Sequence, residues 1–445
     1  MGQGLNRFLL GATALLALGL LPAPARAKPI TNLDARIEAI EPKVIAWRRD
    51  IHAHPELGNR ETRTSKMVAD HLKKLGFDEV RTGIAYTGVV GILRGGKPGP
   101  VVGLRADMDA LPVEEKTGLP FASKAKSTYE GQPVSVMHAC GHDTHTAMLL
   151  GAAEVLAGMK ADLAGTIVFV FQPAEEGAPS GEGGGAKLML EQQALANPRP
   201  AAMFGLHVFP NDSGKIYYRA GGFFAASDRI RIQFTGRQTH GARPWSGVDI
   251  SSLAAETILS MNQIAARQLN VAKNPTIITI ATMHGGVRHN IIPEEVTLTG
   301  TLRTFDPAVR TDVIARITHT VENLAESYGA KAKVAFEEPN PVTWNDAALS
   351  AWALPSLQRA AGGADRVDSN AELVTGAEDF SYFAKEIPSV YVQLGARPKG
   401  ADPATVAVNH SPYYDVDEDA LIVGVRTHVF LALDYLARGH ASPKR

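Results

Sequence analysis

The sequence predicts an α/β protein, with a mainly parallel-sheet main domain and an inserted ferredoxin-like α+β unit. Three observations predict this. From residue 33 to residue 207, short β-rich runs alternate with amphipathic helical runs, the pattern of a sheet covered by helices. The run "GTIVFVFQ" (165–172) is apolar on both faces, as a strand between two helical layers must be. Near Gly221 the texture changes. There "DRIRIQF" (228–234), alternating polar and apolar, opens a β-α-β-β-α-β series, the order of a compact ferredoxin-like unit.

Taken from the N-terminus, residues 1–27 read as a secretory signal peptide. Arg7 supplies a short basic region, 8–21 is continuously apolar, and Ala25-Arg26-Ala27 supplies the small-x-small pattern for a cut after Ala27. The apolar run is short for a bilayer span. An uncleaved N-terminal anchor is the alternative. The expectation is a secreted or periplasmic protein, and no later segment reads as a transmembrane helix.

Helical spacing then predicts helices over 33–52, ended by Pro55, and over 65–75, stopped at Gly76. Strands follow at 88–93 and 101–107, a helix at 144–156, a strand at 165–172, a helix near 186–192 and a strand at 201–207. The inserted unit reads as a strand at 228–234, a helix at 250–267, strands at 276–283 and 295–305, a helix at 309–328 and a strand at 331–336. A helix at 347–361, the strand "SVYVQLG" and a closing helix from Glu418 complete the main domain. The expected division is 28–220 and 338–445 for the main domain, with 221–337 inserted.

Charged residues make up 20% and hydrophobic residues 45% of the chain, and the formal net charge is −1. No basic surplus points to nucleic acid, and no acidic block points to a disordered tail. The single cysteine, Cys140, excludes an internal disulfide, so stability must come from packing. In an oxidising compartment a free thiol needs something to hold it.

In an open α/β sheet, chemistry gathers at the carboxyl ends of the strands. Three polar motifs end predicted strands: "RADMDALP" (105–112), "FQPAEEG" (171–177) and "GLHVFP" (205–210). "HACGHD" (138–143) leads into a helix, and "VNHSPYYD" (408–415) comes much later in the chain. Imidazole, thiolate and carboxylate form the donor set of zinc and similar divalent ions. Cys140 and His142 are two apart and project to one side of a locally extended chain. Three other readings stand beside a metal site: a structural zinc site, a cysteine nucleophile with a histidine base, and a buried inert thiol. Finger-like ligand spacing is missing, and nucleophile and base normally meet through the fold rather than within one loop. The flanking histidines favour metal over an inert thiol. Glu175 and Glu176, adjacent on a turn, cannot both point the same way. One can ligate metal while the other moves a proton to and from water or a leaving amine. An ordinary acidic surface loop is the alternative.

"RADMDALP", "MHACGHDTH", "FQPAEEG", "GLHVFP", "GARPWSGVD", "NIIPEEVTLTGTLRT" and "GAEDFSYF" occur in this order along the chain. The ordered set resembles the aminoacylase-like two-metal metallopeptidases, in the amidohydrolase branch that includes hippurate hydrolase and the indole-acetyl-amino-acid hydrolases. The resemblance implies a catalytic domain holding two divalent ions (zinc or manganese, with cobalt a third candidate) and an inserted lid that often mediates dimerisation. By motif position it implies Cys140, His142, Glu176, His207 and His410 as metal ligands, Glu175 as general acid/base and Asp109 as the carboxylate behind the metals. Asp107 stands where distant relatives carry a ligand histidine and is not assigned. His138 and His145 are expected to support the loop. In the lid, His240 resembles a histidine directed at substrate, and Asn290 and Arg303 resemble residues that bind its carbonyl or carboxylate; a turn residue and a strand-surface cation are the plainer readings of the last two. The link "GAPSGEGGGAKLM" (177–189) is longer and richer in glycine than the family pattern.

The implied activity is metal-dependent hydrolysis of N-acyl-amino acids, with small peptides as the alternative substrate, no nucleic-acid or stable membrane partner, and a homodimer formed through the lid. A non-catalytic periplasmic binding protein and a cysteine hydrolase are the competing classes. An intact Glu175 beside Glu176 argues against the binding protein, which would need ligands but no proton shuttle.

Overall fold

The computed structural model describes residues 32–438. The leader and its cut after Ala27 lie outside the described residues. The main sheet has eight strands, in the order Glu79–Ile84, Gly88–Arg94, Ala164–Gln172, Lys97–Asp107, Ala202–Phe209, Ser389–Gly395, Ile216–Tyr217, Val367–Asp368. The middle four, from Ala164–Gln172 to Ser389–Gly395, run parallel and are the apolar strands the sequence marks out. Toward both edges antiparallel pairs appear, so the sheet is parallel at its centre and mixed at its margins. One cause is local: the short link from Ile84 to Gly88 can join only antiparallel neighbours. The edge strand Glu79–Ile84 escaped sequence reading because none of its residues is fully buried, which leaves no apolar run to read.

Three helices, Leu33–Ala53, His142–Ala157 and Leu421–Ala437, pack against one another beside this sheet. Gly151 makes that packing possible. A Cβ there would lie 2.7 Å from Val44 Cγ2 and 3.1 Å from Val425 Cγ2. The closing helix expected from Glu418 lies in Glu418–Ala437, the one helix among the described residues long and apolar enough to cross a membrane, with an 18-residue stretch of mean hydropathy 1.5. In the fold 72% of that stretch is buried against the rest of the protein, which accounts for its composition.

A second hydrophobic core lies between Ile230 and Ala325. Its sheet has the order Thr276–Gly285, Glu295–Thr304, Ala226–Thr235, Lys331–Asn340, every pair antiparallel. The helices Ile250–Gln263 and Pro307–Ser327 pack on it, burying Ile232, Leu298, Ile317 and Val321. Asp249 and Asp306 cap them, each accepting two backbone N–H groups of the first turn. The helix expected over 250–267 is α-helical only to Gln263 and closes as a π turn, Ile264–Gln268. The two crossings between the units pair with each other, Gly221–Phe224 antiparallel to Thr343–Asn345.

Gly151→Ala should lower the chemical-denaturation midpoint. Alanine's helix propensity gains about 1 kcal/mol, but overpacking against two stiff valines costs about 1–3 kcal/mol. An unchanged or raised midpoint would mean that the three helices separate easily.

Candidate metal centre

The carboxyl ends of the parallel strands converge on a pocket of donors. Cys140 and His142 are aimed there by the turn between them. Gly141 has φ 96°, and a Cβ on it would meet Val208 Cγ2 at 2.4 Å, so glycine is required on two counts. Cys140 Sγ lies 3.3 Å from His207 Nε2. Two ligands of one tetrahedral zinc ion stand about 3.5 Å apart. His142 directs Nδ1 at Asp109 Oδ1, 3.2 Å away, which leaves Nε2 buried with no hydrogen-bond partner among the described residues. That nitrogen faces Asp107 Oδ2 at 3.8 Å, Glu175 Oε2 at 3.9 Å and Glu176 Oε1 at 4.0 Å. On the far side, His410 Nε2 lies 3.0 Å from Glu176 Oε1.

These donors fall into overlapping groups: Cys140, His142 and His207; Cys140, Glu176 and His410; His142, Glu175 and Glu176. Within each group the ligand atoms lie within 4.8 Å of one another. Shared members suit two ions that share ligands. The electrostatics agree. Burial pulls the His142 imidazole down, but Asp107, Asp109 and Glu176 outweigh it and push the pKa up to about 10, so the pocket favours positive charge. Burial, then Glu176 and Glu175, push the Cys140 thiol well above its usual range. A cysteine nucleophile needs the opposite shift. Only a cation at the sulfur would make this thiolate stable.

The surrounding carboxylates hold the ligands in place. Asp109 orients His142 with one oxygen and accepts the Glu176 N–H at 2.9 Å with the other. Asp107 is braced between Arg105 Nη1 (2.7 Å) and His145 Nδ1 (2.6 Å). His145 accepts the Val208 N–H at 2.9 Å on its other nitrogen, tying the helix to the strand that carries His207. His145 therefore supports the loop as expected. His138 is buried beside His52, with no hydrogen bond to either ring nitrogen among the described residues. Burial holds it neutral, with a pKa down to about 3.

Glu175 is pushed well above the carboxylate range, first by burial and then by Glu378, Glu176 and Asp379. Glu378 and Asp379 belong to "GAEDFSYF", a motif that by itself points to no role for them. Both are held by Arg105 Nη2, at 2.8 and 3.1 Å, and the Asp379 N–H lies 3.3 Å from Glu175 Oε1. The signal for them was Arg105 itself, since a cation within a buried strand requires buried anions. Glu61 was also missed. Its Oε1 accepts the Ala174 N–H at 2.8 Å, just before Glu175, where Ala174 has the left-handed φ of 50°. Burial and Asp109 push this carboxyl up to about 8. The glycine-rich link is anchored by Glu182, which accepts from Asn59 (3.0 Å) and Arg60 (2.6 Å) before the short helix Gly185–Glu191.

The structure thus brings together Cys140, His142, Glu175, Glu176, His207, His410 and Asp109. His240, Asn290 and Arg303 lie in the smaller unit. The strand Thr239–His240 pairs with Ile291–Ile292, and the Gly241 N–H donates to the Asn290 carbonyl at 2.8 Å, so His240 and Asn290 are neighbours. Arg303 stands beside Ser227 and Ile277 in its sheet. No hydrogen bond or ion pair among the described residues joins these three to the donor cluster.

The model of peptidase family M20/M25/M40 matches residues 103–434. Thermostable carboxypeptidase 1 of Saccharolobus solfataricus is 39% identical, over 91% of this chain and 98% of its own. IAA-amino acid hydrolase ILR1-like 2 of Arabidopsis thaliana is 36% identical, over 98% of this chain and 96% of its own. Among solved structures, a dinuclear metal-binding peptidase of Bacillus subtilis is 32% identical with a TM-score of 0.74, over 90% of this chain and 99% of that one. The donor set and this likeness together support a centre for two divalent ions.

Gly141→Ala should fold but bind metal poorly, because the turn must open and separate Cys140 from His142. Zinc per chain after gel filtration should fall below that of the unsubstituted protein. Full occupancy would show that the turn is not what aims these ligands.

Proposed function

This chain belongs to peptidase family M20/M25/M40, and from that premise we propose that it is a metal-dependent amidohydrolase releasing amino acids from N-acyl-amino acids. The observation that carries the reading is the buried Nε2 of His142, with no hydrogen-bond partner among the described residues and ringed by carboxylates, with Glu175 Oε2 3.9 Å away. Two divalent ions held by Cys140, His142, Glu176, His207 and His410 would supply Lewis-acid chemistry, acidifying water and polarising an amide carbonyl. Glu175 takes the proton from the attacking water and delivers it to the leaving amine nitrogen. A carboxylate beside the ions can serve both halves of that transfer. Asp109 keeps His142 in the tautomer that presents Nε2.

From the lid, His240 would stabilise the developing oxyanion, while Asn290 and Arg303 would receive the substrate's carbonyl and carboxylate. Thiolate and imidazole favour zinc, with manganese and cobalt as the alternatives. A homodimer through the lid is supported by the edge strand Thr276–Gly285, which carries the exposed Ile277 and Met283, and by Val287, 95% exposed just beyond it. The leader supports a secreted or periplasmic location. A second reading, hydrolysis of small peptides from the carboxyl end, is favoured by the carboxypeptidase relative.

The test is amino-acid release from acetyl-, benzoyl- and indole-acetyl-amino acids and from dipeptides, after chelation and after refilling with zinc, manganese or cobalt. Release should vanish on chelation and return with metal. Glu175→Gln should lower kcat by about 10²–10⁴-fold while retaining metal. No release with any metal, despite stoichiometric binding, would sink the reading for these substrates.

A further inference from the structure

The first helix, Leu33–Ala53, carries a cation that no step above uses. Arg48 is only 2% exposed, and its guanidinium gives each nitrogen to a different carboxylate. Nε donates to Asp143 Oδ2 at 3.0 Å, Nη2 to Asp415 Oδ1 at 3.1 Å and Nη1 to Glu418 Oε1 at 3.1 Å. Asp143 directly follows His142. Asp415 ends the segment that begins at His410. The same Asp143 oxygen lies 2.8 Å from His52 Nδ1, whose other nitrogen is 3.2 Å from Glu115, and the Phe121 ring covers the guanidinium at 4.8 Å. Arg48 therefore sits where three distant chain segments meet, two of them bearing proposed metal ligands.

The His410 segment needs a holder. His410 has φ 72°, in the left-handed region, which costs a residue other than glycine. Its N–H donates to the Ala139 carbonyl at 2.7 Å, and Asn409 Nδ2 donates to the carbonyls of Cys140 (3.0 Å) and Val208 (3.2 Å). At the other end of the segment, Asp415 is fastened only through Arg48 among the hydrogen bonds of the described residues.

We propose that Arg48 is a positioning residue that sets His410 against Cys140 and His142. The ion that draws on His410 and Glu176 then depends on Arg48 more than its neighbour does. This rests on the two-metal reading above. The planar fork matters, because three carboxylates in separate directions are matched by three separate nitrogens. Lysine offers its donors from a single point.

The experiment is zinc titration of the chelated full-length protein against a competing chelator, with Arg48→Lys, Asp415→Ala and His410→Ala in parallel. Asp415 is partly exposed where Arg48 is not, so its substitution disturbs folding less than that of Arg48. Two zinc ions should bind the unsubstituted chain. Arg48→Lys and Asp415→Ala should each weaken the site that His410→Ala weakens, by about 10–100-fold, and Asp415→Ala should leave the other at full affinity. The metal-free unfolding midpoint of Asp415→Ala should stay unchanged. Adding Arg48→Lys to His410→Ala should cost that site nothing further. Two sites of unchanged affinity in both variants, or parallel weakening of both sites with a fall in the metal-free midpoint, would overturn the proposal. Fewer than two zinc ions on the unsubstituted chain would overturn the two-metal reading beneath it.

Discussion

A carboxylate taken out of water must be met by positive charge, and this protein buries many of them in one place. Asp107, Asp109, Glu378 and Asp379 are all nearly inaccessible, with Glu175 and Glu176 close behind. Arg105 is buried with them and reaches Asp107, Glu378 and Asp379 from near the carboxyl end of a parallel strand. One guanidinium cannot balance six carboxyls. The remainder is absorbed by imidazoles driven cationic, by carboxyls driven neutral and, in the working protein, by divalent ions. Affinity for metal and raised basicity at Glu175 thus follow from one constraint.

The same economy governs the backbone. Three turns that present donors contain a residue in the left-handed region: Gly141 beside Cys140, Ala174 before Glu175, and His410 itself. Only the first is glycine. The other two are held by bonds from outside the turn: Glu61 to the Ala174 N–H, and the His410 N–H to the Ala139 carbonyl. Such conformations persist where the surrounding structure over-determines them. Here the large core beneath the parallel strands supplies that rigidity.

Much of this was legible in the sequence because it is local. Cys140 and His142 share a turn, Glu175 and Glu176 are adjacent, and the central strands are continuous apolar runs. The expectation that His207 and His410 are ligands rests only on their places in an ordered motif set. What escaped was pairing across distance. Arg105, on a strand, meets Glu378 in the loop before the helix Phe380–Glu386, and Glu61 reaches Ala174 from just before another helix; neither leaves a periodic trace. Edge strands with mixed burial and the antiparallel margins of the sheet escaped for the related reason that pairing partners are not written in a single strand. His138 sits in the most chemical stretch of the chain, yet its ring makes no hydrogen bond among the described residues.

The paired crossings, Gly221–Phe224 and Thr343–Asn345, have an evolutionary meaning. The smaller unit departs and returns at points one strand spacing apart, about 5 Å. A short turn could close that gap without moving the main sheet. The insert is therefore a cassette, open to exchange or remodelling by descent while the buried charge of the main body stays untouched. Change in the smaller unit is felt little at the centre, because the two are joined by a ribbon rather than by a shared core.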